Sequence, residues 1–330
     1  MGSPYNSYHE GELAVQTRAG IGSEGLAADA MYHPLMPSGV QRFLVSQQVA
    51  VFSTRDADDL VWASMRSGPP GFLRPLDERM LEIGGYSHPD DPLTANLGTH
   101  PEAGMIVIRL ETRHRVRLNG VARAQSDGKI VLRTQQVYGN CPQYIQARTV
   151  VGDREVSARR ARFGTELDEP QCQAIQRADT LFIATAHPEA GADASHRGGR
   201  PGFVCVESTK RLLLPDYRGN NMFNTLGNIV SNPRSGLLFP DFPSGSALLL
   251  SGNARILWDD PRMKHFEGAH RLVEFDVQRV IDLPEATLLQ FEFQTYSPFL
   301  PGTPESATSE FRSCDAQSGA ASPADRSLPG

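Results

Sequence analysis

The densest run of groups able to bind an anion lies between residues 200 and 224. Arg200 stands before Pro201-Gly202-Phe203, at the expected start of a strand, and Pro215-Asp216-Tyr217-Arg218-Gly219-Asn220-Asn221 opens an expected helix over Met222 to Val230. A helix N-terminus carries unpaired N–H groups and the positive end of a dipole. Guanidinium and amide donors beside it make a cradle for phosphate. The same asparagines, Asn220 or Asn221, could instead cap the helix, and the sequence leaves both readings open.

Other candidate motifs are weaker. Gly20-Ile21-Gly22-Ser23-Glu24-Gly25 fits a dinucleotide-binding G-x-G-x-x-G, but the polar Gln16-Thr17-Arg18 before it cannot be the buried strand which that loop requires. No phosphate-binding P-loop, H-E-x-x-H helix or G-x-S-x-G turn occurs. His187 and His196 stand in an expected Gly/Ala-rich loop without a third ligand at usual spacing, and His9-Glu10 and His114 are isolated, so no metal is expected. Cys141, Cys172, Cys205 and Cys314 form no C-x-x-C pair and read as reduced thiols.

Composition bounds what surrounds these residues. The chain has 330 residues, 32 basic against 38 acidic, a net charge of −6, which disfavours a nucleic-acid binder. Only Lys129, Lys210 and Lys264 are lysines. The other basic residues are arginines, suited to forked recognition of phosphate or carboxylate, although a genome rich in arginine codons explains the bias equally well. No apolar run approaches the ~18–20 residues that cross a bilayer, and the first residues form neither a signal peptide nor a myristoylation motif, so a cytoplasmic protein without membrane contact is expected.

The elements that would position the cradle recur along the chain. Ser67-Gly68-Pro69-Pro70-Gly71-Phe72 faces Gly198-Gly199-Arg200-Pro201-Gly202-Phe203 at an offset of 131. His100-Pro101 to Gly104 faces Asn232-Pro233 to Gly236, and Asn119-Gly120 faces Ser251-Gly252, both at 132. A long two-copy period means tandem globular domains. Short strands dominate each copy: Val49–Ser53, Leu60–Ser64, Met105–Glu111, Val116–Ala124 and Lys129–Val137 in the first, and Thr180–Ala184, Gly202–Val206, Arg211–Leu214, Leu237–Phe239, Ala247–Trp258, Leu272–Val280 and Leu288–Tyr296 in the second. Helices are expected over Val40–Gln48 behind a cap at Ser38, Asp91–Thr99, Glu169–Ala178 and Asn221–Val230. The fold class is mainly β, two small β-barrels with short helices. The expected division is an N-terminal extension (1–36) whose Glu10–Gln16 could dock on the core, a first barrel (37–150), a second barrel (170–302) and a disordered tail (303–330).

The combination of G-x-P-G-F, L-L-L-P-D-Y-R-G-N-N, a helix ending in N-x-x-x-N-P, then S-G-L-L-F and G-x-A-R, all between Arg200 and Arg255, resembles the FMN-binding split β-barrels of the pyridoxamine 5′-phosphate oxidase-like superfamily. The likeness runs from about Ala174 to Gln294 and, more faintly, from Pro37 to Arg148. Tyr138-Gly139-Asn140-Cys141-Pro142-Gln143-Tyr144-Ile145 is similar to a short C-terminal signature of some members. The resemblance implies FMN between two barrels, usually across a homodimer interface, which a tandem chain could form within itself.

Carried over by position, the resemblance puts Arg200, Tyr217, Arg218, Asn220, Asn221 and Asn224 around the phosphate and ribityl chain. Trp62, Ser64, Arg66 and Ser67 are the first-copy counterparts, which lack the turn asparagines. True pyridoxamine 5′-phosphate oxidases carry Arg-Lys where this chain has Asn224-Thr225 and end in an arginine-bearing segment absent here, so the expectation is a different activity. That activity is FMN-dependent oxidoreduction with a reduced nicotinamide or similar donor and an unidentified substrate, the flavin carrying the redox chemistry. The alternatives are a non-catalytic flavin- or haem-binding barrel, with His187, His196 or His265 as axial ligand, and an interaction scaffold.

Overall fold

The computed structural model describes residues 8–21, 32–157 and 159–301. The expected tail and most of the Gly20–Gly25 motif lie outside the described residues. A first helix, α1 (Glu10–Arg18), precedes α2 (Ser38–Val45) and a seven-stranded antiparallel sheet: β1 (Val49–Arg55), β2 (Val61–Ser67), β3 (Leu73–Pro75), β4 (Met80–Ile83), β5 (Glu102–Arg109), β6 (His114–Ala124) and β7 (Ile130–Gly139), with α3 (Leu93–Thr99) before β5. Strands β8 (Ala147–Asp153) and β9 (Arg162–Gly164) and helix α4 (Glu169–Arg177) lead to the second sheet. Its strands are β10 (Thr180–His187), β11 (Gly191–Gly198), β12 (Cys205–Ser208), β13 (Arg211–Tyr217), β14 (Arg234–Asp241), β15 (Ser246–Leu257) and β16 (Ala269–Leu283), with α5 (Asn224–Ser231) before β14 and β17 (Leu289–Thr295) after β16.

The first sheet is ordered β2-β1-β5-β6-β7-β4-β3 and the second β11-β10-β14-β15-β16-β13-β12, the same path strand for strand. Beyond these paths β9 pairs with β16, and β8 pairs with β17, tying the two halves together. The fold is therefore mainly β, as the alternation of short apolar segments requires.

The strand sequences show why the barrels sit face to face. Along β1, Ala50 and Phe52 join the core of the first barrel while Val49 and Val51 point the other way into a core shared by both barrels. Along β10, Leu181 and Ile183 fill the second barrel, and Phe182, Ala184 and Ala186 enter the shared core. Successive side chains of a strand face opposite sides, so a strand apolar at every position is buried on both. Two glycines of the shared seam lie against backbone of the other barrel. A Cβ on Gly104 of β5 would lie 2.4 Å from the carbonyl oxygen of Ala192 in β11, and one on Gly236 of β14 would lie 2.6 Å from that of Val61 in β2.

Several local expectations need correction. Ser38 begins α2 rather than capping it, and the N-cap is Pro37 with no side-chain hydrogen bond. Residues 191–198, expected as a loop, form β11, because Ala192 and Ala194 are small for packing against the other barrel and give no β-branched signal. Residues 201–204, expected within a strand, form a turn and bend ahead of β12. The helix expected from Asn221 starts at Asn224, since Asn221 and Phe223 adopt left-handed φ values of 61° and 58° that no helix continues.

Candidate functional site

A cleft between the barrels holds a cavity of about 100 Å³. The second barrel supplies Ser195, His196 and Arg197 from β11, Asp216 and Tyr217 from the end of β13, the loop 218–223 and the first turn of α5. Arg115 and Arg117 of β6 and residues Asn140, Cys141, Gln143 and Tyr144 after β7 come from the first half. Tyr144, in a left-handed conformation, donates its hydroxyl to the Arg218 carbonyl (2.9 Å) and sets its ring 5.2 Å from that of Tyr217. The turn of one barrel is thus held by the signature segment of the other.

The cleft carries more positive than negative charge. Asp216, buried in β13, accepts a hydrogen bond from Arg197, and its other oxygen lies 3.6 Å from Arg271. Arg117 lies 4.0 Å from Asp193 and 3.5 Å from the Tyr138 hydroxyl. Arg115 has no carboxylate partner among the described residues, and burial, followed by repulsion from Arg117 and Arg197, pulls it down to about 9. The Nε atoms of Arg115 and Arg117 and both ring nitrogens of His196 are buried without a hydrogen-bond partner. Burial, then the arginines around it, holds His196 well below the usual histidine range, so its ring is neutral. Orphaned buried donors cost free energy, about 1–3 kcal/mol each and more when charged, that a polar ligand recovers.

Behind this wall lies a polar network centred on Asp193. Asp193 accepts from Asn119 (2.7 Å) and Tyr138 (2.9 Å) of the first barrel and from Asn228 (2.8 Å) of α5. Helix α1 docks on α5, and Gln16 donates to the carbonyls of Asn221 and Met222, both at 3.4 Å, bracing the turn from behind. Glu12, pushed up to about 8 by burial and then by Asp193, accepts from Asn224 (2.6 Å).

His9, Glu10 and His187 converge here, and their ligating atoms lie within 4.8 Å of one another. The fold unites histidines that look isolated in sequence. Their tautomers argue against a metal, however. His187 Nδ1 accepts from the N–H groups of Glu189 and Ala190, which leaves the proton on Nε2 to be donated to Glu10 at 2.8 Å. His9 Nδ1 likewise accepts from Gly11 N, and its Nε2 meets Asn228 Oδ1 at 3.0 Å. A metal-bound imidazole donates through its other nitrogen, the reverse of this pattern.

Of the second-copy residues expected around a phosphate, Tyr217, Arg218, Asn220, Asn221 and Asn224 line the cleft. Neither Asn220 nor Asn221 caps α5, whose N-cap is Phe223 without a side-chain bond; Asn220 instead accepts from Met222 N within the turn. Arg200 does not line the cleft. The turn at 201–204 carries it away, and its guanidinium stacks on Tyr296, 4.8 Å from the ring centroid.

The first-copy counterparts lie elsewhere and are largely tied down. Trp62 donates to Asp56 (2.8 Å), Arg66 to the carbonyls of Ile83, Gly84 and Gly128, and Ser67 accepts from Thr287 (2.7 Å), while Ser64 is buried in β2. Residues 84–86 fold onto β2 through the Ser67–Tyr86 bridge. Of the histidines considered for haem, His187 has both nitrogens engaged, His265 is exposed in a 3₁₀ turn, and only His196 faces the cleft. Sequence reasoning missed Arg115 and Arg117, although two arginines at i and i+2 between apolar residues of one strand do place both charges on one face.

Residues 167–297 match the family described as pyridoxamine 5′-phosphate oxidase. That match spans the second barrel, and the mainly β fold is in keeping with the pyridoxamine 5′-phosphate oxidase-like split-barrel superfamily. Similar solved structures include HupZ of Group A Streptococcus (13% identity, 36% of this chain and 94% of that one, TM-score 0.31) and a putative pyridoxamine 5′-phosphate oxidase from Lactobacillus delbrueckii (18%, 35% and 93%, 0.30). A FAD-binding protein from Mesorhizobium loti is also similar (13%, 37% and 96%, 0.27). No curated protein matches the chain. Among the described residues no helix is long and apolar enough to cross a membrane.

Proposed function

We propose that the cleft binds FMN non-covalently, at one site per chain, and that the protein is an FMN-dependent oxidoreductase. The observation that carries this reading is the meeting of unneutralised buried arginine donors with an open turn and helix N-terminus between the two barrels, the second of which matches the pyridoxamine 5′-phosphate oxidase family. Arg218 and the turn 219–221 ahead of α5 would hold the phosphate, and Arg115, Arg117 and His196 would surround the rest of the cofactor. Bound there, the isoalloxazine supplies hydride or electron transfer, with a reduced nicotinamide as the donor we favour. The chain's own role is to orient the ring and match its charge. Each barrel supplies one wall, so a single chain completes what a homodimer would otherwise provide.

Titration with FMN and with riboflavin tests the reading. A charge-assisted bond to phosphate is worth about 1.5–3 kcal/mol, so Arg218→Ala should weaken FMN roughly ten- to a hundredfold and riboflavin much less. Parallel loss for both ligands would remove Arg218 from the phosphate site, and a haem Soret band without flavin absorbance in the purified protein would overturn the assignment.

A further inference from the structure

Resting on the flavin reading, the charge around the cleft points to a redox role for the first barrel. Five arginines line or abut the cleft, Arg115, Arg117, Arg197, Arg218 and Arg271, against the carboxylates of Asp193 and Asp216 and the exposed Glu267 near Tyr217, so positive charge exceeds negative. His196 adds none, because its ring is neutral. The unmatched charge is most plainly that of Arg115, half-buried on β6, its Nε without a partner and no carboxylate within ion-pair distance among the described residues.

We propose that Arg115 tunes the cofactor, holding reduced flavin in its anionic form and so raising the reduction potential of the site. With FMN held in the cleft, a dihydronicotinamide donor would supply a hydride, two electrons with one proton, and leave as oxidised nicotinamide. With no second proton taken up, the ring would gain one negative charge, which the unpaired Arg115 would offset. Beside the half-buried Arg115 such a charge pair is screened less than in bulk solvent. Because Arg115 belongs to β6, this tuning comes from the barrel that does not carry the phosphate cradle.

Two measurements on the full chain loaded with FMN test the proposal. Equilibration with reference dyes should place the wild-type potential above that of free FMN. Arg115→Gln, which keeps a polar side chain and removes the charge, should lower it by at least about 30 mV, a tenfold loss of preference for the reduced form. Arg74→Gln, on an exposed arginine paired with Glu82 away from the cleft, should leave it unchanged. In the acidic range where free reduced FMN takes up both protons, the wild-type potential should still fall by only about 30 mV per pH unit, the slope of two electrons with one proton.

A slope near 60 mV per pH unit, the value for two protons with two electrons, or an Arg115→Gln potential equal to the wild type, overturns the proposal while the flavin reading stands. Failure of the wild type to bind FMN overturns both. If Arg115→Gln cannot retain flavin, the wild-type slope decides alone.

Discussion

Replacing Gly104 or Gly236 by alanine should prise the barrels apart. The added methyl at Gly104 would stand 2.4 Å from the Ala192 carbonyl oxygen and 2.6 Å from Asp193 Cα, and the one at Gly236 would stand 2.6 Å from Val61 O and 2.9 Å from Trp62 Cα. Ordinary contact begins at 3.4 Å, and every one of these neighbours is backbone, so no side chain can swing aside. The strands must separate by about 1 Å, and overpacking on this scale costs roughly 1–3 kcal/mol per site. Both methyls act across one seam, and a rigid-body opening relieves both clashes together. The double variant should therefore cost less than the sum of the singles, a coupling that sites without a shared movement lack.

Urea unfolding reads these values as a lowered midpoint at constant slope. Gly98→Ala is the control: the helical Gly98 has nothing within 4 Å of its would-be Cβ, and alanine there should stabilise by about 1 kcal/mol. Because the cleft spans the same seam, FMN affinity should fall in the Gly104 and Gly236 variants and hold in the control. Losses below about 0.5 kcal/mol at both seam glycines, the usual range for surface substitutions, would show that the barrels do not meet in this way.

Two further outcomes follow from single residues. Burial raises Asp91 from 3.8 to about 6, so folding takes up a proton between those values, and the cost of its buried charge is complete above pH 6 and gone below about pH 4. Asp91→Asn, which can still accept from Leu93 N, should stabilise by up to roughly 3 kcal/mol at pH 7, with the difference from wild type vanishing near pH 4 in parallel denaturation curves; a pH-independent difference would contradict this. Arg200→Ala should lower stability through loss of its stacking on Tyr296 and leave the FMN-to-riboflavin affinity ratio unchanged, whereas a selective loss of FMN would return Arg200 to the phosphate.

Where the sequence was legible, backbone contact had fixed the residue type. The matched landmarks Gly104 and Gly236 are the seam glycines. Gly120 and Gly252 sit where β6 and β15 shift register against β7 and β16, each with a carbonyl oxygen 2.0 Å from a would-be Cβ. No side chain fits at such points, so the letters persist in both halves at nearly constant spacing while the core around them varies. The equal strand order therefore shows in the sequence as glycines before it shows as periodicity. Strand β11 was illegible for a related reason: its alanines satisfy a close approach by the other barrel, and small residues read locally as loop.

The site was legible only where a single stretch of chain builds it. Residues 217–224 are contiguous, so their chemistry can be read along the chain, and all but the buried Met222 line the cleft. Arg115 and Arg117 stand on a strand of the other barrel, and nothing in their neighbourhood on the chain names what they face. The same separation makes the division of labour testable. A cradle and a charge-matching wall on different barrels can be altered independently, so Arg218→Ala should change affinity for phosphate-bearing flavin and Arg115→Gln the reduction potential. An arrangement in which all the arginines served one phosphate would instead move both quantities together in both variants.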